Sequence, residues 1–187
     1  QQAMQALEPL LPPGTVPRIV HQSPEDHLFV MTCAPETARN WKGELMAGRF
    51  DGEVACAAGR LLKEMHQRSL ILAPELVQLF SDKTYFEQLR IDPFHRRVLE
   101  RHPHLEAGIL ALVEQLTPSP TCLVHGDFSP KNILVDDKKR LILLDYEVAH
   151  WGNPVFDVAF CLAHLVLKGL ALQREMEACR LVKAFLH

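Results

Sequence analysis

Leu123-Val-His-Gly-Asp-Phe-Ser-Pro-Lys-Asn-Ile-Leu-Val135, followed by Leu141-Ile-Leu-Leu-Asp145-Tyr-Glu147, is the stretch from which the rest of the chain can be read. Two short apolar runs rich in branched residues, the signature of strands, flank a polar loop carrying His125, Asp127 and Asn132. A third such run ends at Asp145. The cluster Asp136-Asp137-Lys138-Lys139 between the second and third runs reads as a tight turn, so those runs are predicted to pair as a hairpin. Asp127 and Asn132 stand five apart across a loop containing Pro130, a spacing that lets their side chains converge. An Asn carbonyl and an Asp carboxylate are hard oxygen ligands of the kind Mg²⁺ takes beside substrate phosphates. A second Asp, free of metal, can orient a hydroxyl nucleophile. Together these are the parts of a phosphoryl-transfer site, where catalysis is mostly positioning and charge stabilisation.

Bulk properties bound the alternatives. The chain has 187 residues and a formal net charge of −3. This argues against nucleic-acid or anionic-membrane partners, which select basic patches. Five cysteines without a CxxC pair fit reduced thiols in a cytoplasmic protein better than a disulfide framework. The longest apolar stretch, around residues 155–167, is interrupted by Asp157 and His164 and is too short to span a bilayer.

Outward from the loop, the chain reads as two strands, a block of helices, the small embedded sheet, and helices again. Residues 1–11 show helical periodicity, with Ala3, Leu7, Leu10 and Leu11 on one face and Pro12-Pro13-Gly14 as the stop. Strands are predicted at 18–22 and 28–33, joined by Ser23-Pro24-Glu25-Asp26. Asp51 suits the N-cap of a helix through Arg68 whose inner face is Val54, Ala58, Leu61, Leu62 and Met65. Further helices are expected from Pro74 to Phe80, over 81–90 and 92–101 with Phe86, Leu89, Phe94, Val98 and Leu99 inward, and from Pro103 to a close at Thr117-Pro-Ser-Pro120. An apolar helix over 155–167 and a last one from about Leu172 complete the chain.

The motifs also carry a resemblance. His125-Gly-Asp127 with Asn132 five on, then Asp145-Tyr-Glu147, then Gly152-Asn-Pro154 with Asp157, closely resembles the aminoglycoside phosphotransferase/choline kinase-like family. All three of the family's blocks are present, in order and at the expected spacing. The resemblance implies an α+β, protein-kinase-like fold. In it, a mostly helical C-lobe with a small embedded β-sheet (34–187) follows a remnant of the N-lobe (1–33). It implies ATP or GTP and Mg²⁺ as cofactors and a small-molecule hydroxyl as acceptor. Asp127 becomes the catalytic base, His125 a loop organiser, Asn132 and Asp145 the metal ligands, and Asp157 a brace behind the loop. Backbone groups at Thr32, Cys33 and Ala34 would meet the base of the nucleotide. No glycine-rich loop or Val-Ala-x-Lys-like stretch precedes Arg18, so the chain is expected to be a fragment lacking most of the N-lobe and truncated C-terminally, inactive by itself.

Blander readings compete residue by residue. Glu147 either touches a second metal ion or bridges to a loop cation, and Lys131 is either a phosphate contact or a solvated lysine. His66 reads as a buried structural histidine, whereas His102, His104 and His150 read as surface or loop residues. Lys138-Lys139-Arg140 reads as a solvated hairpin tip, and Trp41 and Trp151 as packing. The rival functions are a kinase-like pseudoenzyme that binds nucleotide or partner without transfer, and a metallophosphoesterase. The latter needs several His and Asp ligands around two metals, and its D-x-H and G-N-H-like blocks are absent.

Overall fold

The structure is a computed structural model and describes residues 1–116 and 121–187; the predicted close at Thr117-Pro-Ser-Pro120 lies outside the described residues. Helix α1 (Gln2–Leu7) buries Ala3, Met4 and Leu7 and ends well short of Pro12. The reason is Pro9, which has no N–H to donate to the Gln5 carbonyl, although Glu8 before it keeps helical angles. Leu11 still reaches the core from the turn that follows. β1 (Ile19–Ser23) and β2 (Leu28–Met31) form the expected antiparallel hairpin. β3 (Arg39–Asn40) and α2 (Trp41–Met46) come next, two elements with no strong sequence signal. Asn40 caps α2 by accepting from Gly43 N–H and donates its side-chain amide to the Lys131 carbonyl at 2.6 Å.

α3 (Gly52–Ser69) is the structural axis. Asp51 caps it by accepting from the Glu53 and Val54 amides, a device contributing about 1 kcal/mol. Its predicted inner face is buried in full: Val54, Ala58, Leu61, Leu62 and Met65. The N-terminus of α3 is tied to the turn at residues 136–140 by Lys139, which pairs with both Asp51 and Glu53, so that hairpin tip is not simply solvated. α4 (Ala73–Phe80) has Pro74 in its first turn, where the missing N–H is harmless.

The next helices depart from expectation. α5 (Thr84–Phe86), a π-helix over Glu87–Arg96 and α6 (Arg97–Arg101) are continuous, with Pro93 inside the π-helix. A wider π-turn rotates side chains away from the faces that a period of about 3.6 assigns. Leu89 and Phe94, read as inward, are therefore exposed, while Arg90 and Ile91 are buried. α7 (Glu106–Gln115) follows a short 3₁₀ turn and contributes no buried residue.

β4 (Cys122–Val124) leads into the polar loop, β5 (Ile133–Val135) and β6 (Leu141–Leu143) form the predicted hairpin, and β7 (His150–Gly152) pairs with β4. β3 extends the hairpin to three strands in the order β3-β5-β6. His150 is thus buried in a strand, its ring 4.0 Å from Phe86, rather than on the surface. α8 (Val155–Ala171) and α9 (Glu175–Leu186) close the core against α3. Backbones approach closely there: a Cβ built on Gly59 would stand 1.9 Å from the Phe185 carbonyl oxygen, so that position requires glycine. No helix among the described residues is long and apolar enough to cross a membrane.

Candidate active site

The loop between β4 and β5 is fastened from below. Asp157, in the first turn of α8 and fully buried, accepts from the His125 N–H and the Gly126 N–H, each at 2.8 Å, and from His66 Nε2 at 2.9 Å. Gly126 needs its φ of 77°, and a Cβ there would sit 2.6 Å from the Val148 carbonyl. Burial alone would raise the Asp157 carboxyl. The hydrogen bond from His66, its charge, and the His125 amide outweigh it and hold the group below its ordinary value.

His125 turns the loop. Its Nδ1 accepts from the Asp127 N–H at 3.2 Å, so its proton is on Nε2, which donates to the Leu144 carbonyl at 3.1 Å. Burial, opposed by the charge of Asp157, lowers its pKa, in keeping with this neutral tautomer. The imidazole therefore links the loop to the segment that carries Asp145.

Asp127 is 3% exposed, and its contacts are one-sided. Asn132 Nδ2 donates to Oδ2 at 2.7 Å and to the Asp127 carbonyl at 3.0 Å. Arg90 lies 2.9 Å and Lys131 3.2 Å from the same Oδ2. Oδ1 accepts no hydrogen bond among the described residues. Asn132 is held near Asp145 because the Leu144 N–H donates to the Asn132 carbonyl at 2.9 Å. Asp145 itself has φ 68°, the left-handed region that an Asp tolerates at some cost, as strained functional residues do. Lys131 Nζ also lies 3.8 Å from Asp145 Oδ2, so one ammonium stands between both carboxylates.

The donor set suits a hard cation. Asn132 has spent its NH₂ on Asp127, which leaves the amide oxygen, and Asp145 offers a partly exposed carboxylate. One carboxylate and one amide oxygen match Mg²⁺, which keeps waters and phosphate oxygens for the remaining positions. Among the described residues no three His, Cys, Asp or Glu side chains group to hold a metal ion. Lys131 already marks the place as one that draws positive charge.

Arg90 was not legible as a site residue. It is buried, donates from Nε to the Gly126 carbonyl at 2.9 Å, and meets Asp127 with its other branch. Only the π-helix turns it inward, and no local motif announces that. Glu147 is exposed, with neither an ion pair nor a side-chain hydrogen bond among the described residues. Thr32, Cys33 and Ala34 are not brought to Asp127. They line a separate cavity of about 460 Å³ with Pro12–Pro17, α3 and the β5–β6 turn. Thr32 is already committed to β1, its N–H donating to the Arg18 carbonyl and its Oγ1 accepting from the Arg18 N–H.

This arrangement defines a protein-kinase-like α+β fold with a phosphotransferase loop. The fold is matched by a solved choline/ethanolamine kinase family protein from Mesorhizobium loti at a TM-score of 0.50 and 18% identity. The match covers 97% of this chain and 57% of that one, so this chain spans just over half the length of that neighbour. Residues 1–178 match the phosphotransferase enzyme family, APH, and the chain belongs to that aminoglycoside phosphotransferase/choline kinase-like family. No curated protein matches it significantly.

Proposed function

We propose that the chain carries the active site of a Mg²⁺-dependent kinase that moves the γ-phosphoryl group of ATP or GTP to a hydroxyl of a small molecule. The observation that carries this reading is the one-sided Asp127 carboxylate: Asn132, Arg90 and Lys131 converge on Oδ2 and leave Oδ1 for an acceptor O–H. Asp127 accepts that hydrogen bond and aims the hydroxyl oxygen at the γ-phosphorus. The new O–P bond forms as the bond to the β-phosphate oxygen breaks. The nucleoside diphosphate leaves with the electron pair, and the hydroxyl proton passes to Oδ1 and then to water. A carboxylate is a weak base, adequate because a loose transition state needs little early deprotonation.

Asn132 and Asp145 would hold the Mg²⁺, which when bound neutralises charge on the transferring phosphates. Lys131 stands where those phosphates arrive, and Asp157 keeps the loop amides in place. Residues 1–33 act in this reading as part of the N-lobe and 34–187 as the C-lobe. Since the Thr32 N–H is taken, contact with the nucleotide base falls to the backbone of Cys33 and Ala34.

The test is Asp127→Asn. Loss of the base is expected to lower kcat by about 10²- to 10⁴-fold with nucleotide affinity kept. Turnover near that of the unaltered protein removes Asp127 from the role. A second reading, nucleotide binding without transfer, is favoured by the Lys131 ammonium already spanning both carboxylates. Lys131→Met separates the two: a kinase keeps measurable transfer, whereas a metal-free binder loses nucleotide affinity and shows no transfer in either form.

A further inference from the structure

A groove of about 620 Å³ runs between the π-helix, α7 and α8. Its volume is that of an ordinary small-molecule site. Phe94, Leu112, Phe156, Phe160, Ala163 and Leu167 supply an apolar and largely aromatic wall, and several of them stand exposed. The candidate active site shares one residue with the groove. Arg90 lines it and is the same residue that pairs with Asp127 Oδ2, and His164, also in the wall, lies within electrostatic reach of Asp127 and Lys131.

Charge decides what fits. Among the described residues no carboxylate lines the groove, so a polyamine sugar or a quaternary ammonium would meet no counter-charge from them. The positive groups are muted too. Arg90 is matched by Asp127 and sits 5.7 Å from the centre of the Phe160 ring, so the ring face that would stack on a ligand cation already has one. Burial, and then the charge of Lys168, hold His164 below its ordinary pKa, which keeps it neutral. An apolar wall with no unbalanced charge gains most by covering apolar ligand surface. The π-helix is what opens this site: the same irregular turn sends Arg90 inward to the loop and leaves Phe94 and His95 on the groove. π-turns inside helices recur at functional sites.

We propose that this groove receives the acceptor, and that the acceptor is an uncharged alcohol with an aromatic or aliphatic body, its hydroxyl directed past Arg90 to Asp127. The proposal rests on the kinase reading above. It is tested on the purified chain by ligand-observed NMR titration with 2-phenylethanol, with choline and a diamino sugar as cationic probes. Ala163→Trp fills the groove and Leu112→Glu charges its wall. Both side chains are exposed, so neither change is expected to disturb folding, which a thermal melt verifies. Saturable binding of 2-phenylethanol is expected, weakened about tenfold or more by either substitution, since pocket fit of this kind discriminates on that scale. Unchanged binding in both variants overturns the proposal, as does tighter binding of either cation that Ala163→Trp abolishes. ³¹P NMR with Mg²⁺ and ATP, run on the complete natural polypeptide rather than on this chain alone, then separates the two readings. Alcohol binding in the groove with no transfer to any hydroxyl breaks the kinase reading alone. Transfer to a cationic acceptor that ignores both substitutions breaks the groove proposal alone.

Discussion

Residues 122–157 and residues 73–116 meet at Arg90 and are built on opposite terms. In the first region β4, the loop and β6 are almost wholly buried, and the amides of His125, Gly126 and Asp127 and the Asp127 carboxylate are met by specific partners, Asp157, His125 and Asn132, although the buried Ser129 hydroxyl has none among the described residues. In the second, α7 has no buried residue, and Phe94, Leu105 and Leu112 stand at 59%, 43% and 60% exposure. Buried polar groups tolerate little displacement, because each unmet partner costs about 1–3 kcal/mol. A satisfied network therefore holds its atoms to one geometry, which is what aiming a hydroxyl demands. Apolar contacts carry no such directionality. A helix with a slack apolar face can present a groove whose shape suits one acceptor and changes easily for another. The end proposed to react and the end proposed to recognise the acceptor thus divide along the kind of force that shapes them.

The strongest blow to this contrast falls on Asp157. Asp157→Ala leaves the amides of His125 and Gly126 and the His66 ring without their acceptor, and a loss of about 3–5 kcal/mol in denaturant-unfolding stability is expected. A loss under about 1 kcal/mol would mean the loop is not held as tightly as its hydrogen bonds indicate. The same carboxyl contributes to the acid limb, beside Asp51 and Asp136, which are also held low. Its folded pKa is depressed, so the folded protein binds fewer protons than the unfolded chain. That contribution is fully present above about pH 4 and is lost as pH falls through the folded value. The stability-versus-pH slope in this range is expected to be shallower in Asp157→Ala, and equal slopes would assign the acid sensitivity to other carboxyls.

Arg90→Met probes the seam between the regions. Removing the guanidinium frees Asp127 Oδ2 and the Gly126 carbonyl, so turnover is expected to fall by about tenfold to a hundredfold, the scale of 1.4–2.8 kcal/mol. Steady-state kinetics with stability measured alongside checks it; a drop in stability without a drop in turnover would make Arg90 a packing residue only. The smallest effect belongs to the slack side. Leu112→Ser is expected to stay within about 0.5 kcal/mol of the unaltered protein in unfolding experiments. A larger loss would show that α7 is part of the core after all.

The two regions differed just as much in how far they could be read from sequence. His125, Asp127, Asn132, Asp145 and Asp157 were legible because their chemistry is tied to short, fixed spacings within one strand-loop-strand unit and the helix behind it. α3 was legible for a related reason: one capping Asp and five apolar residues at a regular period. Where the local rule changed, reading failed. A period of about 3.6 misassigned Leu89 and Phe94 because the chain there is a π-helix, and Pro9 ended α1 before its apolar pattern did. Strand β7 is three residues long and is a strand only because β4 lies beside it, which is why His150 was taken for a loop residue.

What local sequence supplies here is the set of groups proposed to react, since a strand, a turn and a helix start place them by covalent spacing alone. It also settles the family, through three blocks in order. Which oxygen of Asp127 carries the hydrogen bond and ion pairs was decided only when three segments met: the β4–β5 loop, the π-helix with Arg90, and the Leu144–Asp145 segment joined to Asn132. The groove likewise exists only between elements some sixty residues apart, α8 and the π-helix. No spacing rule reaches that far, because long-range approach is set by which apolar faces find each other as the core closes.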